Sequence, residues 1–258
     1  MSDDGRSGGH GSPDGSLLRL DHLTKHFADR GAVDDLCLAI APGEIYGLIG
    51  PNGSGKTTTV KLTTGLYRPT GGRVLVAGID LQQEPSQAKR LMGYVPDEPF
   101  AYERMSGREF LHLVGELWGV AAKARERAIG ELGERFQVGD TLDAWVETYS
   151  RGNRQKLSLI AALLHAPRLL VIDEPIVGLD PESALRTRQL LQDYAARGVA
   201  TLLCTHTLAF AQAVCHRVGL LRQGRLVAEG DLGALRVRAG AGPEASLEDL
   251  YHHLAARS

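Results

Sequence analysis

The sequence is poor in several residue types. Aromatic residues make up 5% of its 258 positions, and the cysteines number three: Cys37, Cys204 and Cys215. Neither sign of charge is in excess, because 29 Lys and Arg face 31 Asp and Glu, for a formal net charge of −2. A protein that depends on phosphate contacts usually has a basic excess, so we expect no nucleic-acid partner. An odd number of cysteines without metal-ligand spacing predicts free thiols in a reducing compartment.

Long hydrophobic runs are also missing. The richest apolar stretch, 157–172, is interrupted by His165, Pro167 and Arg168, and it is too short to span a bilayer. The segment Met1–Ser16 holds Gly, Ser and Asp without an apolar core, which is typical of a disordered leader and not of a signal peptide. We therefore expect a cytoplasmic protein that reaches a membrane only through a partner.

The first part of the chain after this leader predicts β-structure. Apolar residues alternate with polar or small ones over 18–20 and 36–40, as in half-buried strands. Ile45–Ile49 is a compact apolar strand that runs into a glycine-rich loop, and Arg73–Ala77 is a further short strand. This patterning favours a β-rich region with an antiparallel portion.

The middle of the chain predicts helices. Ser106 and Glu109 form a capping-box pattern, and apolar residues follow at helical spacing. Further helices are predicted over 121–136 and 150–166. After Pro167, short apolar strands alternate with helices, which favours a parallel sheet covered on both faces. These later elements are the strands Leu169–Ile172, Ala200–Cys204 and Val218–Leu221, the helices that begin after Pro181 and at Thr207, and a last helix over Ser246–Leu254.

The strongest chemical signal is the segment Gly50–Thr57, which is an intact phosphate-binding loop pattern. It follows the predicted strand Ile45–Ile49 and begins a helix, as the mechanism requires. Its glycines let backbone N–H groups approach phosphate oxygens, and the helix N-terminus adds partial positive charge. We expect Lys56 to reach the β- and γ-phosphates and the Thr57 hydroxyl to ligate Mg²⁺. A chance glycine-rich turn would not need the full pattern in this context.

A second signal is a pair of acids at the end of an apolar strand. Leu169–Ile172 is followed by Asp173 and Glu174, and open α/β sheets bind ligands at the carboxyl ends of their strands. We expect Asp173 to hold Mg²⁺, directly or through water, and Glu174 to orient or deprotonate an attacking water. Alone, the pair would be read as a solvated strand end. Together with the phosphate-binding loop, it predicts catalysis.

These motifs resemble the ATP-binding cassettes of ABC transporters, and the resemblance covers about 17–236. Gly178–Pro181 resembles the family's D-loop, which implies that Asp180 lies near the nucleotide. His206, after a predicted strand, is similar to the switch histidine that touches the γ-phosphate. Phe27 stands where an aromatic ring stacks on adenine in this family, and a plain core position is the open alternative.

Two segments depart from the family pattern. Where the family has Leu-Ser-Gly-Gly-Gln, this chain has Tyr149–Asn153. Ser150 and Gly152 match that pattern, whereas Arg151 replaces a glycine and the last position carries Asn. In the family, this helix N-terminus closes over the γ-phosphate bound by the other subunit. The Q-loop position carries Asp97 instead of Gln, and a carboxylate can still ligate Mg²⁺ or hold water.

The resemblance implies a fold and its boundaries. The fold is of the α/β class, a P-loop NTPase (RecA-like) core with an antiparallel β subdomain and an inserted helical subdomain at about 96–155. The cassette would span 17–236, between a disordered leader over 1–16 and a C-terminal tail with a short helix over 237–258.

The resemblance also implies the composition of the site, with ATP and Mg²⁺ as cofactors. The implied catalytic residues are Lys56, Glu174 and His206. The implied metal ligands are Thr57, Asp97 and Asp173. The residues implied in nucleotide binding are Phe27, Gly50, Pro51, Asn52, Gly53, Ser54, Gly55, Lys56, Thr57, Thr58, Asp97, Ser150, Gly152 and Asp180.

The implied function is that of an energising subunit. Two cassettes, identical or sister, would sandwich ATP and drive a separate membrane-spanning permease from the cytoplasmic face of the membrane. The closing segment Ser246–Tyr251 resembles the tail of exporter cassettes, which favours export. The alternative is a soluble ABC-type ATPase on ribosomes or DNA, but such proteins carry two cassettes or a long coiled coil, and no sustained heptads lie between Lys56 and Asp173. A small-molecule kinase would not need Ser150 or the Gly178–Pro181 loop.

Overall fold

The computed structural model describes residues 15–28 and 30–256. The leader predicted over 1–16 lies almost entirely outside these residues. Within them, the strands are β1 (Leu18–Phe27), β2 (Arg30–Ile40), β3 (Ile45–Ile49), β4 (Gly71–Val76), β5 (Ile79–Asp80), β6 (Met92–Val95), β7 (Leu169–Asp173), β8 (Ala200–Thr205), β9 (Arg217–Arg222) and β10 (Arg225–Gly230). The helices are α1 (Lys56–Thr63), α2 (Pro85–Arg90), α3 (Gly107–Leu117), α4 (Ala122–Phe136), α5 (Arg151–Leu163), α6 (Pro181–Ala196), α7 (Leu208–Val214), α8 (Leu232–Ala239) and α9 (Leu247–Ala256).

Six strands form the central sheet in the order β10-β9-β3-β8-β7-β6. All of them run parallel except β10, which is antiparallel to β9. Every residue of β3, β7 and β8 is buried, which explains why these strands are mostly continuous apolar runs. Ile49 pairs with Thr205, and Asp173 pairs with Cys204, so the carboxyl ends of three neighbouring strands meet at one edge.

The predicted antiparallel portion is a separate four-stranded sheet in the order β2-β1-β4-β5. In β2, Leu36 and Leu38 are buried while Asp35 and Cys37 are exposed, which is the alternation expected of a half-buried strand. The buried face of this sheet shares one apolar cluster with β3, β7 and β8. The predicted α/β class with an antiparallel part is therefore confirmed.

The helices α3, α4 and α5 pack in a second apolar cluster, which includes Phe110, Ile129 and Ile160. The predicted capping box begins α3: the hydroxyl of Ser106 accepts a hydrogen bond from the Glu109 N–H, and the Glu109 carboxylate accepts one from the Ser106 N–H. This reciprocal pair satisfies two N–H groups at the start of the helix, as the sequence pattern predicts.

The bounds of α5 differ from the prediction of a helix over 150–166. The helix ends at Leu163, because Ala166 adopts a left-handed backbone conformation with φ of 50° and Pro167 follows it. A left-handed residue breaks the helical hydrogen-bond series, and the residue before a proline is disfavoured in helical geometry.

The two last helices pack against the outer strands of the central sheet. Leu235 of α8 and Leu250 of α9 lie in one apolar cluster with Leu220 of β9 and Ala228 of β10. The boundary expected at 236 falls inside α8, which continues to Ala239. The last turn of α8 and the helix α9 both pack in this cluster with the sheet. No helix in the part of the chain that the structure describes is long and apolar enough to cross a membrane.

Candidate nucleotide-binding site

The loop between β3 and α1 is tightly constrained by its glycines. A Cβ atom on Gly50 would lie 2.3 Å from the carbonyl oxygen of Leu221, and one on Gly55 would lie 2.4 Å from that of Ala32. Gly55 also has a φ of 112°, a conformation that residues with a side chain rarely adopt. It precedes α1 directly, and no side chain caps the first N–H groups of that helix. The loop therefore leaves backbone donors free at a positive helix end.

The ammonium group of Lys56 lies over this loop. Its Nζ donates hydrogen bonds to the carbonyl oxygens of Gly50, at 2.7 Å, and Pro51, at 3.1 Å. The Ser54 hydroxyl is buried in the same loop and has no hydrogen-bond partner. A buried polar atom without a partner is costly, so this hydroxyl is available to a ligand.

Asp173, the last residue of β7, lies beneath the start of α1. Its exposed fraction is 2%, and burial raises the pKa of its carboxyl group to about 6. A hydrogen bond with the Thr57 side chain opposes that rise, and the negative charges of Asp97 and Glu174 add to it. The site thus concentrates negative charge where a cation would relieve it.

Glu174 follows β7 in a left-handed conformation with φ of 51°, which is uncommon for a residue with a side chain. Its Oε2 accepts a hydrogen bond from the Thr205 hydroxyl at 2.8 Å. Its Oε1 accepts two from His206, one from the backbone N–H at 2.9 Å and one from Nδ1 at 2.7 Å. The Glu174 carboxylate is therefore held by Thr205, the last residue of β8, and by His206, which follows it. The His206 side chain itself is 57% exposed.

Lys56, Glu174 and His206 line one cleft of about 810 Å³. Ten of the residues predicted for the site line it: Phe27, Asn52, Gly53, Gly55, Lys56, Thr57, Thr58, Asp97, Glu174 and His206. Gly50, Pro51 and Ser54, which belong to the same loop as the lining glycines, do not line the cleft, and neither does Asp173. The structure thus brings the phosphate-binding loop, the acid after β7 and the predicted switch histidine together.

Phe27 is not a core residue. Its side chain is 43% exposed at the cleft, and its ring packs edge-on against Tyr67 with 5.4 Å between ring centroids. The Nζ of Lys25 lies 4.9 Å from the centroid of the Phe27 ring. Its other surface is open to the cleft, so the ring is placed where a planar group can stack on it.

The predicted nucleotide-binding residues outside the phosphate-binding loop that do not line the cleft of their own chain are Ser150, Gly152 and Asp180. Ser150 caps α5 by accepting a hydrogen bond from the Asn153 N–H at 3.1 Å. Asp180 caps α6 by accepting one from the Ser183 N–H at 2.9 Å. Gly152 lies so close to the loop after Glu174 that a Cβ atom on it would be 2.9 Å from the carbonyl oxygen of Gly178.

Six cleft residues were not predicted as site residues. Arg30, Gly31 and Ala32 come from β2, and Gln223 comes from the turn before β10. Val177 comes from the loop after Glu174, and Arg151 comes from the start of α5. The Arg151 guanidinium lies 3.8 Å from the carboxylate of Asp97. Only Arg151 had a signal in the sequence, as a departure from the family pattern, because the others carry no local motif.

The residues present fit a magnesium nucleotide. Uncapped backbone N–H groups and the Lys56 ammonium are donors for phosphate oxygens, and the Ser54 hydroxyl in the same loop has no partner within the fold. The Thr57 hydroxyl and the carboxylate of Asp173 are hard oxygen donors in hydrogen-bond contact with each other, which suits Mg²⁺.

Comparison with known proteins gives consistent results. A family model described as "ABC transporter" matches residues 33–177. The daunorubicin/doxorubicin resistance ATP-binding protein DrrA of Streptomyces peucetius is 37% identical over 220 residues, which cover 85% of this chain and 66% of DrrA. ATP-binding cassette sub-family A member 2 of Homo sapiens is 34% identical over 237 residues, which cover 90% of this chain but 10% of that protein. A solved structure described as the ATP binding subunit of an ABC transporter has a TM-score of 0.88 at 32% identity, covering 93% of this chain and 100% of that one.

The family match spans more than half of the chain and includes both the phosphate-binding loop and the acids at the end of β7. The structural match confirms the predicted P-loop fold of the cassette core. The chain therefore belongs to the ABC transporter family, in which it is an ATP-binding cassette.

Proposed function

We propose that the cleft binds ATP with Mg²⁺ and hydrolyses it. The observation that carries this proposal is the convergence of the uncapped α1 N-terminus, the Lys56 ammonium and Glu174 on one cleft. The loop N–H groups and Lys56 neutralise the phosphates, and Thr57 and Asp173 hold the metal ion, with Asp97 as a further oxygen donor. A bound Mg²⁺ supplies positive charge that offsets the charge on the phosphates.

Glu174 is the group placed to receive a proton from the attacking water. Its two carboxylate oxygens are oriented by Thr205 and His206, so the carboxylate does not need to reorganise when it accepts the proton. His206 acts through its contact with Glu174, and its exposed side chain lines the cleft, where it would contact the γ-phosphate. Phe27 stacks on the base.

We infer that the working unit contains two cassettes. Ser150 and Gly152 lie outside the cleft of their own chain, so a nucleotide in that cleft does not reach them. A second copy, or a sister cassette, would present its own α5 N-terminus to the γ-phosphate, where helix N–H groups favour an anion. A single chain then holds half of each composite site, and we expect it to have little ATPase activity.

We propose that a membrane-spanning permease docks on the cassette. Its docking site would be an apolar groove of about 260 Å³ between β6 and the helices α3 and α5. Phe100, which is 68% exposed, lies on its rim with Leu66 and Trp118. A short helix with an apolar face fits a groove of this kind. Tyr102, next to the groove, packs edge-on against Phe100, and Glu103 pairs with Arg154 of α5. Binding of the permease in this groove would hold the cassette at the cytoplasmic face of the membrane.

Export is the direction that the relatives favour, because DrrA is named for resistance to daunorubicin and doxorubicin. The transported molecule is selected by the permease in this arrangement. The cassette itself contributes the ATP-driven closure of two subunits. We therefore propose that this chain energises an exporter.

Two substitutions test the chemistry. Lys56→Ala should abolish the binding of a fluorescent ATP analogue, because the loop loses its cation. Glu174→Gln should bind the analogue normally, hydrolyse ATP at least about 100-fold more slowly, and accumulate as a nucleotide-bound dimer in size-exclusion chromatography. Glu182→Gln, an exposed acid of α6 outside the cleft, is the matched control and should behave as wild type. Hydrolysis at the native rate by Glu174→Gln would contradict the assignment of the base.

Purification of the tagged chain from gently solubilised membranes tests the partner. We expect a stoichiometric membrane protein with several spans. Recovery of the chain with ribosomes or DNA, and without such a protein, would overturn transport while leaving the ATPase proposal intact.

A further inference from the structure

The solvent face of the antiparallel sheet carries an unusual group of side chains. Cys37 is exposed there, although cysteine is among the residue types most often buried. His22 of β1 lies beside it, with its backbone N–H 3.3 Å from the Cys37 sulfur, and His22 Nδ1 is 2.7 Å from an Asp35 carboxylate oxygen. One donor atom from each of the three side chains lies within 4.8 Å of the other two.

Two complementary β-bulges lie among these side chains. Between the pairs Leu20↔Leu38 and Leu23↔Leu36, β1 has two residues where β2 has only Cys37, so His22 is the extra residue. Between Leu23↔Leu36 and Lys25↔Val33, the excess is on β2 instead. Asp35 belongs to this second bulge. A bulge redirects the side chain of its extra residue, and here the first bulge directs His22 to the face that Asp35 and Cys37 share by the alternation of β2.

The backbone at both bulges is held in a sparsely populated conformation. His22 has a φ of 52° and Asp35 a φ of 54°, both in the left-handed region. The Thr24 hydroxyl, between them, donates a hydrogen bond to the His22 carbonyl oxygen at 3.2 Å and accepts one from the Asp35 N–H at 3.2 Å. Hydrogen bonds of the protein itself therefore hold both bulges, and such outliers cluster at functional sites.

We propose that His22, Asp35 and Cys37 form a binding site for a single divalent metal ion of the Zn²⁺ type. A thiolate, an imidazole nitrogen and a carboxylate oxygen are together the donor set that Zn²⁺ accepts, whereas Mg²⁺ prefers oxygen donors alone. On binding, the Cys37 thiol loses its proton to solvent, and the proton between His22 Nδ1 and Asp35 moves to His22 Nε2 or to solvent, so that the metal takes the place of that hydrogen bond. Three protein ligands leave a fourth position open to water or to an external ligand.

The site is distinct from the nucleotide cleft, because none of its three residues lines that cleft. It does link β1 to β2, and Phe27 and Arg30, which do line the cleft, end β1 and begin β2. A metal ion would therefore fasten the two strands that carry this side of the cleft. Metal binding itself does not depend on the proposed ATPase.

Cobalt titration of the untagged, full-length, reduced chain tests the site, because a Co²⁺–thiolate bond absorbs in the near ultraviolet. We expect that band to saturate at one equivalent of Co²⁺, to persist with excess MgATP, and to be reversed by Zn²⁺. Cys37→Ser should abolish the band. His22→Ala and Asp35→Ala should each weaken Co²⁺ binding by more than the roughly 10- to 100-fold typical of losing an outer-shell partner.

His26→Ala is the matched control, because His26 is an exposed histidine of the same strand outside the group. It should bind Co²⁺ as wild type does. A second measurement follows the reaction of Cys37 with a thiol reagent: Zn²⁺ should slow it in wild type and in His26→Ala but not in His22→Ala, which keeps the thiol. Absence of the thiolate band, or equal Co²⁺ affinities for His22→Ala and His26→Ala, would overturn the proposal. Unchanged binding of an ATP analogue by each variant verifies that it is folded.

Discussion

The carboxylate of Asp97 and the guanidinium of Arg151 lie 3.8 Å apart at the rim of the nucleotide cleft. Each is a charged residue where the ABC pattern has an uncharged one, so the two departures neutralise each other. Arg151 also packs against the loop after Glu174, with its Cδ atom 2.9 Å from the position of a Cβ on Gly178. The pair thus joins the Q-loop position to the start of α5 beside the site of hydrolysis.

The first prediction concerns this pair. Arg151→Ala should weaken the binding of a fluorescent ATP analogue, because Asp97 then repels the phosphates without compensation. The double variant Asp97→Gln/Arg151→Ala should recover nearly wild-type affinity. Both groups are about half exposed, so the coupling should be about 2- to 5-fold in affinity, or roughly 0.5–1 kcal/mol.

Fluorescence titration at low and at high salt measures this coupling, which should shrink as salt rises. Arg154→Ala is the control, because Arg154 lies on the same helix but pairs with Glu103 and does not line the cleft. Additive effects of the two single substitutions would show that the charges act independently.

The second prediction concerns the glycine before α1. Gly55→Ala should lower the free energy of unfolding by more than about 1 kcal/mol, because its φ is 112° and its new Cβ would lie 2.4 Å from a carbonyl oxygen. It should also abolish nucleotide binding, since the loop must shift. Gly130→Ala, on the exposed face of α4 with no atom within 4 Å of its Cβ, should instead raise stability by about 0.5–1 kcal/mol. Urea denaturation compares the two, and equal effects would contradict the role of Gly55.

The third prediction concerns His165, which stacks on Trp118 with 4.2 Å between ring centroids. Burial lowers the pKa of His165 below its usual value, and its Nδ1 is buried without a hydrogen-bond partner. The neutral imidazole is therefore the form that the fold accommodates. In the unfolded chain the His165 imidazole has its ordinary pKa of about 6.5 and takes up a proton more readily than in the folded protein. The stability that the neutral His165 contributes is therefore fully present above about pH 6.5, and it is lost as the pH falls from there towards the lower pKa of the folded state.

Urea denaturation between pH 7.5 and pH 5 measures this effect. The free energy of unfolding should fall less steeply with acidification in His165→Gln than in wild type, whatever the difference at pH 7.5. His252→Gln, which changes an exposed imidazole of α9, should retain the wild-type slope. A slope in His165→Gln as steep as that of wild type would refute the prediction.

The fourth prediction concerns the apolar groove. Phe100→Ala should leave the ATPase activity of the isolated cassette unchanged, because Phe100 does not line the cleft. With the membrane protein that co-purifies, the same variant should lose at least about tenfold in stimulation of ATPase activity, since a buried aromatic contact is worth 1.4 kcal/mol or more. Val237→Ala removes an exposed apolar side chain on α8 and serves as the control. Full stimulation of Phe100→Ala would place the docking surface elsewhere.

Short-range signals predicted the elements that carry the site. Ile45–Ile49 is a strand with the predicted bounds, and the capping box of Ser106 and Glu109 begins α3 as expected. Both depend on a few consecutive residues, in which local geometry and side-chain hydrogen bonds agree with the fold. The end of α5 was less predictable, because the left-handed conformation of Ala166 has no signature in that residue type.

Contacts between distant segments were not predictable in the same way. The sequence predicted a separate role for Glu174 and for His206. It did not predict the hydrogen bonds between them, which arise because β7 and β8 are neighbours in the sheet. Cys37 had no metal-ligand spacing along the chain. Asp35 shares its face by the alternation of β2, but His22 lies beside them only because a bulge shifts the register of β1 against β2.

The sequence by itself determined the phosphate-binding loop, the acids after β7 and the helix starts, since each is a contiguous segment whose glycines, charges and caps act locally. The tertiary structure decided which of these groups meet. Asp97 faces Arg151, Glu174 is held by His206, and Ser150 is kept out of its own cleft. These pairings follow from strand order, register and the packing of buried faces, which depend on the whole chain at once and not on any one segment.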